Sequence, residues 1–213
     1  MPGPSARRFA AATLMLCAPW CHAAADFAGE WASNDARDSA GWVLDGADHQ
    51  GRPFAIVDKK DARIYVFDAG GRLIGASVTL LGSAPGDDPV PDIASRSPAS
   101  LTPSERTTPA GRFTSEPGHN DKGEAIVWFD YTAALAIHRL RPAPGFERRA
   151  ARLASASPDD NRISLGCIVV PVAFYDSVVA TSLGRERGVV YVLPEARPVR
   201  SMFGAIEVGL NTR

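Results

Sequence analysis

The hydrophobic pattern along the chain is mostly that of short β-strands separated by turns. Alternating or continuous apolar runs rich in β-branched and aromatic residues predict strands at 55–57, 63–67, 125–129, 133–137 and 189–193, with a further strand after the turn at 69–71. The clearest helical stretch is 172–183, bounded by Pro171 and Gly184. The pattern predicts a mainly β fold, a largely antiparallel sandwich or barrel with one helix after Cys167.

Three other segments lack a clear period. Residues 26–53 are polar and are expected to form an irregular N-terminal lead-in that packs over the core. Residues 83–107 are rich in Pro, Ser and Asp and predict a long surface loop within the domain. Residues 139–162 predict a loop with one helical turn, placed where it could cover a site.

The first 25 residues are typical of a secretory signal. Arg7 and Arg8 are followed by an apolar core at 9–20 and by small residues that favour cleavage near Ala25. The arginine pair leaves the twin-arginine route as an alternative. We therefore expect an exported protein of the periplasm or cell envelope with no transmembrane segment in the mature chain, one domain at 54–194 and a tail at 195–213.

Charge and histidine spacing exclude two classes of function. The 23 Lys and Arg residues nearly balance the 24 Asp and Glu residues, and no basic tract is present. A nucleic-acid partner is therefore not expected. His49 and His119 lie in polar segments without ligand spacing, so a metal site is not predicted.

The cysteines direct attention to one thiol. Of the three, Cys17 and Cys21 fall in the predicted signal, which leaves Cys167 without an intramolecular partner. An unpaired cysteine in an exported protein pairs with a cysteine of another molecule, is a retained reactive thiol, or is a buried, inert small side chain. His138 ends the apolar run at 133–137 and is either a structural histidine or a base for that thiol. If the two side chains form a pair, a thiolate is expected at Cys167.

The residues around this pair suggest supporting roles. The backbone amides of Gly166 and Cys167 can point at an oxyanion, and a side chain at Gly166 would crowd the substrate. Ser164 either binds the backbone or contributes near the oxyanion. The side chains of Arg139 and Arg162 are either solvated or in contact with a substrate carboxylate.

Three motifs in this order resemble the L,D-transpeptidase catalytic domain family of bacterial cell-wall enzymes. FAIVDKKDARIYVFDAGGRLI is similar to the first hairpin of the family and TPAGRF to its Thr-Pro-x-Gly-x-Phe turn. IHRL and SLGC resemble its histidine strand and its Ser-His-Gly-Cys signature. The resemblance extends from about residue 54 to residue 193.

The resemblance implies a two-step acyl transfer on peptidoglycan stem peptides. Cys167 matches the nucleophile and His138 the base, while the backbone carbonyl of Arg139 matches the group that orients the imidazole. The acyl-enzyme would pass to an amine of a second stem without a metal or organic cofactor. Stem peptides are thus the expected partner, while the sequence leaves open the acceptor (stem peptide, lipoprotein lysine, D-amino acid or water) and the oligomeric state.

Two positions depart from the family pattern. Leu165 replaces the signature histidine and could contact the substrate, and Val169 replaces the usual arginine or asparagine. A non-catalytic peptidoglycan-binding domain of the same fold therefore stays an alternative. A sortase-like cysteine transpeptidase or peptidase is a third hypothesis, which requires a downstream arginine such as Arg185 or Arg187.

Overall fold

The computed structural model describes residues 25–97 and 100–202. The predicted signal segment, apart from Ala25, and the end of the predicted tail lie outside these ranges. No helix among the described residues is both long and apolar enough to cross a membrane.

The described residues form ten strands and a small number of helices. The strands are β1 (Phe54–Asp58), β2 (Arg63–Phe67), β3 (Leu73–Val78), β4 (Leu81–Gly82), β5 (Gly111–His119), β6 (Ala125–Asp130), β7 (Leu135–Arg139), β8 (Arg162–Ser164), β9 (Ile168–Val170) and β10 (Gly188–Val192). The α-helices are α1 (Asn34–Asp45), α2 (Arg149–Leu153) and α3 (Val172–Phe174), the last continued by a π-helical turn (Tyr175–Val179). Short 3-10 turns lie at Ile93–Ser95, Pro103–Glu105, Gly145–Glu147, Pro158–Asn161 and Val199–Ser201.

One eight-stranded sheet runs in the order β3-β2-β1-β10-β5-β6-β7-β9, and β4 pairs with β8 beside it. Most neighbours are antiparallel, whereas β1–β10 and β7–β9 are parallel. The long strand β5 pairs with β10 through its first half and with β6 through its second half. The mainly β prediction is confirmed, and β5 joins the two halves of the sheet.

The main core draws side chains from both halves of the sheet. Val57 and Val190 come from one half, Val127 and Ile137 from the other, and Tyr175 packs among them from the π-helical turn. Alternate residues of each strand point to the same face. On β7 and β9, the residues that do not enter this core are therefore directed to the opposite face.

Helix α1 corrects the expectation of an irregular lead-in at 26–53. The Ser33 hydroxyl caps its first turn by accepting a hydrogen bond from the Ala36 N–H at 3.0 Å. Ala36, Ala40 and Val43 recur at helical spacing and are fully buried in a second cluster. That cluster also contains Tyr65 and other residues on the face of β1, β2 and β10 opposite the main core. The helix escaped prediction because its apolar stripe is made of small residues.

Smaller differences concern the ends of elements. Strand β7 begins at Leu135 because the residues before it form a turn in which Ala134 has a φ of 54°. The predicted helix at 172–183 begins as α3 and widens at once into the π-helical turn. The loop at 83–107 is anchored rather than purely superficial, since Asp87 and Leu101 are buried.

Candidate active site

His138 lies in β7, and Cys167 directly precedes β9, the parallel neighbour of β7. The register pairs Ile137 with Ile168 and His138 with Val169. Ile137 is fully buried in the main core, so His138, the next residue, is directed to the opposite face. The Sγ atom of Cys167 lies 3.8 Å from the backbone oxygen of Ala134, directly before β7. The structure thus brings the predicted base and nucleophile to the same edge of the sheet.

The imidazole of His138 is held in one tautomer. Its Nδ1 lies 2.8 Å from the backbone oxygen of Arg139. A carbonyl oxygen can only accept, so Nδ1 carries the proton and Nε2 keeps a lone pair. Burial lowers the pKa of His138 to about 4, and the positive charge of Arg141 acts in the same direction. The ring is therefore a neutral base at pH 7.

The thiol of Cys167 is protonated in this arrangement. Burial raises its pKa, and the smaller opposing effects of a backbone hydrogen bond at Ala136 and of the Arg141 charge do not reverse the shift. Its Sγ lies 3.8 Å from the backbone oxygen of Ala134, and among the described residues no hydrogen bond joins it to His138. The thiolate expected from the sequence is therefore not the resting form.

The protonated thiol gives a direct prediction for alkylation. The rate at which iodoacetamide modifies Cys167 should keep rising with pH beyond the ordinary thiol pKa of 9.0, because only the thiolate reacts. Mass spectrometry of peptides separates this site from Cys17 and Cys21. The urea-unfolded chain is the control, and its alkylation rate should level off just above the ordinary thiol pKa. A plateau below pH 8 in the folded protein would contradict the assignment.

The SLGC turn is organised by Ser164. The Ser164 hydroxyl is buried, accepts a hydrogen bond from the Gly166 N–H at 3.0 Å and donates one to the Cys167 carbonyl oxygen at 2.7 Å. Of its two proposed roles, backbone binding is the one the geometry favours. The Gly166 N–H is engaged, which corrects its expected role as an oxyanion donor and leaves the Cys167 N–H as the remaining backbone candidate.

The backbone conformation at position 166 requires glycine. Its φ of +131° lies in a region that favours glycine, and a Cβ there would lie 2.7 Å from the Thr107 oxygen and 2.8 Å from a methyl group of Leu135. The neighbouring Leu165 is 40% exposed and so extends from the turn into solvent. Leu165 stands two residues before Cys167, where the signature that SLGC resembles has a histidine.

The two arginines named from the sequence have their side chains in other contacts. Arg139 pairs with Asp176 at 2.9 Å and lies over the Tyr175 ring at 4.3 Å. Arg162 forms an ion pair with Glu195 and donates to the backbone oxygen of Lys59 at 2.9 Å. Both side chains are therefore held in ion pairs, and a contact of either with a substrate carboxylate stays a prediction.

Aromatic side chains border the site on the β6 side. Trp128 pairs in register with Ala136, which places it on the face that carries His138. Tyr131 packs edge-on against Trp128 with ring centroids 5.2 Å apart and is 78% exposed.

Two contributors were missed by sequence reasoning. Thr108 is fully buried and its hydroxyl donates to the Gly166 carbonyl oxygen at 2.9 Å. Arg141 pairs with Glu124 at 2.6 Å, and its charge affects both His138 and Cys167. The TPAGRF turn contained the first signal, because a buried Thr before Pro needs a partner. The Pro-rich loop around Arg141 contained none.

The arrangement suits nucleophilic acyl transfer. It combines a thiol with a neutral imidazole whose free nitrogen can take a proton, and it supplies a backbone N–H beside the sulfur. Among the described residues, no group of three or more His, Cys, Asp or Glu side chains is placed to hold a metal ion.

Comparison with known proteins gives likenesses to solved structures alone. No family model and no curated protein matches the chain. The catalytic domain of an L,D-transpeptidase from E. faecium, determined by NMR, aligns at 16% identity over 67% of this chain and 98% of that domain, with a TM-score of 0.38.

Two further structures align over a smaller share of their own length. An L,D-transpeptidase from Mycobacterium smegmatis aligns at 15% identity over 66% of this chain and 58% of its own, with a TM-score of 0.39. The helical cell shape determining protein Pgp2 from Campylobacter jejuni aligns at 13% identity over 78% of this chain and 58% of its own, with a TM-score of 0.42. Because these TM-scores are below 0.5, the fold assignment rests on the strands described above.

Proposed function

We propose that the chain is a cysteine-dependent L,D-transpeptidase that acts on peptidoglycan stem peptides through a thioester acyl-enzyme. The observation that supports the proposal is that His138 lies in β7 and Cys167 directly before its parallel neighbour β9, with Nδ1 of His138 held at 2.8 Å by the Arg139 oxygen. The TPAGRF and SLGC motifs support it. In this proposal the chain is exported, and residues 54–194 form the catalytic domain.

Acylation begins with the neutral pair. As Sγ of Cys167 attacks the carbonyl carbon beside the L-centre of the donor stem, its proton passes to Nε2 of His138. The Arg139 oxygen favours the imidazolium that forms. The Cys167 N–H binds the oxyanion, and one such donor contributes about 10²- to 10³-fold to the rate. The intermediate collapses to a thioester, and the departing D-amino acid takes the proton from His138.

Deacylation reverses these roles. An acceptor amine attacks the thioester carbon, His138 takes a proton from that amine, and the sulfur leaves and regains a proton from the imidazolium. The amine of a second stem gives a cross-link. Water as acceptor would give an L,D-carboxypeptidase by the same proton transfers.

A second candidate is a peptidoglycan-binding domain without catalysis. The raised pKa of Cys167 and the apolar Leu165 at the signature position favour it. The sortase-like hypothesis has less support, because Arg187 pairs with Glu116 of β5, away from β7 and β9. These alternatives are separated by the experiment that follows.

The proposal is tested by intact-mass analysis of the full chain after incubation with a muropeptide that bears a tetrapeptide stem. We expect an adduct equal to the donor minus its terminal D-amino acid, located on Cys167 and absent in Cys167→Ala. Saturable binding to sacculi that survives Cys167→Ala, with no adduct or product in the parent chain, would replace this proposal with the binding domain.

A further inference from the structure

A buried ion cluster lies behind the turn that presents Cys167. Lys59 is fully buried, and its Nζ donates to Asp87 Oδ1 at 2.9 Å, to the Thr108 oxygen at 3.0 Å and to the Gly86 oxygen. Glu195 completes the pairing, with its Oε1 at 3.3 Å from Nζ. All three ammonium protons therefore have acceptors from segments that are distant in sequence.

Asp87 fixes the far side of the cluster. It is 4% exposed and accepts hydrogen bonds from the backbone N–H groups of residues 195, 196 and 197, at distances of 2.8 to 3.0 Å. Arg162 pairs with Glu195 and donates to the Lys59 oxygen. The other partners of the Lys59 ammonium hold it in one position, and it therefore fixes the carbonyl oxygen of Thr108, to which it also donates.

Thr108 connects Lys59 to the turn that carries Cys167. Its hydroxyl accepts from the Gly82 N–H at 2.9 Å and donates to the Gly166 oxygen at 2.9 Å. A Cβ on Gly166 would lie only 2.7 Å from the Thr107 oxygen, so the backbone of Gly166 packs directly against the segment that Lys59 holds. Displacement of Thr108 would therefore move Gly166 and, with it, Cys167.

We propose that Thr108, fixed by Lys59, is a positioning residue that holds the SLGC turn so that Cys167 faces the imidazole of His138. The inference rests on the proposed role of Cys167 as nucleophile. Thr108 touches no reacting atom. Its effect passes through the Gly166 carbonyl oxygen, to which its hydroxyl donates, while its own carbonyl oxygen accepts from the buried Lys59 ammonium.

The test compares Thr108→Val, which removes the hydroxyl, with Thr108→Ser, which keeps it. We expect Thr108→Val to lower kcat for acyl transfer by about 10- to 100-fold with little change in KM, because a small misplacement of the nucleophile has an effect of this size. Thr108→Ser should recover most of the loss. Thr108→Ala removes the hydroxyl without adding a methyl group near Gly166 and is measured if the valine variant does not fold.

A second readout needs no substrate. The pH midpoint of Cys167 alkylation should fall toward that of an ordinary thiol in Thr108→Val, because movement of the turn would change the surroundings that raise the pKa of this thiol, and should stay unchanged in Thr108→Ser. Arg197→Gln is the matched control. It removes the half-exposed Arg197 guanidinium, whose Nε lies 3.6 Å from Asp87 Oδ2, and it leaves the hydrogen bonds of Thr108 in place. Turnover and midpoint should therefore stay as in the parent chain.

The outcomes separate this inference from the proposed function. If the parent chain forms no acyl-enzyme, the proposed function fails, and the alkylation midpoints still decide whether Thr108 sets the environment of the thiol. If folded Thr108→Val keeps the parent midpoint, and the parent turnover wherever there is turnover, Thr108 has a structural role alone and the inference is overturned.

Discussion

Replacement of His138 with alanine should lower kcat/KM for acyl transfer by about 10²- to 10⁴-fold, the usual contribution of a positioned general base. The loss should be large because the pKa of Cys167 is raised, so the thiol needs a base to take its proton as it attacks. Initial rates with a muropeptide donor measure the effect. His49→Ala is the control, since His49 is also buried but its ring nitrogens contact the oxygens of Val43 and Ala69.

The low pKa of His138 predicts that the folded protein loses stability in acid. Its folded value of about 4 lies below the ordinary 6.5, so the folded state binds fewer protons than the unfolded state between these values. The free energy of unfolding should therefore fall by about 3 kcal/mol as the pH drops from 6.5 to 4, with no further loss from this group below pH 4. His138→Ala should lack this part of the dependence. Identical slopes in the two proteins would contradict a buried, neutral His138.

Replacement of Asp87 with alanine should lower the free energy of unfolding by about 3 to 5 kcal/mol, because one partner of a buried ion pair is removed. Lys59 would stay buried with Glu195 as its remaining carboxylate, and three backbone N–H groups would lose their acceptor. Urea unfolding at pH 7 measures the change.

The adjacent carboxylate is the matched control for this variant. Asp88 is 83% exposed at its side chain and pairs with Arg197 at 3.2 Å, so Asp88→Ala should cost less than about 1 kcal/mol. Equal costs for the two variants would show that the cluster does not stabilise the fold.

The contribution of Asp87 should also depend on pH. Burial by itself would raise the pKa of Asp87, but the Glu195 N–H and the Lys59 ammonium outweigh it, so the pKa lies below its ordinary value. The stability that Asp87 supplies is therefore present above pH 3.8 and is lost at lower pH.

The sequence was informative wherever one physical pattern dominated. Alternating β-branched residues predicted most strands of the sheet, and the same pattern set His138 and Cys167 at strand ends, where the structure has His138 in β7 and Cys167 directly before β9. The parallel contact between β1 and β10 left no local signal, because it joins strands from opposite ends of the domain. Helix α1 was missed since its buried stripe is largely alanine.

The polar contacts were the least predictable part of the site. Lys59, Asp87 and Glu195 meet only through the tertiary fold, and no spacing in the sequence links them. The same holds for Arg162, whose charge suggested a substrate contact but is neutralised by Glu195. For Ser164 the sequence allowed two roles, backbone binding or a place near the oxyanion. The hydrogen bonds of its hydroxyl to Gly166 and Cys167 favour the first.

The protonated state of Cys167 also bears on its chemical durability. Peroxide and disulfides attack the thiolate and leave the thiol largely intact, so a cysteine whose pKa is raised by burial forms sulfenic acid and mixed disulfides slowly. In the proposed mechanism the thiol is deprotonated only as it attacks its acyl donor, and it is therefore protected from oxidants between turnovers. Such a resting state would preserve an unpaired cysteine where no reducing system restores it.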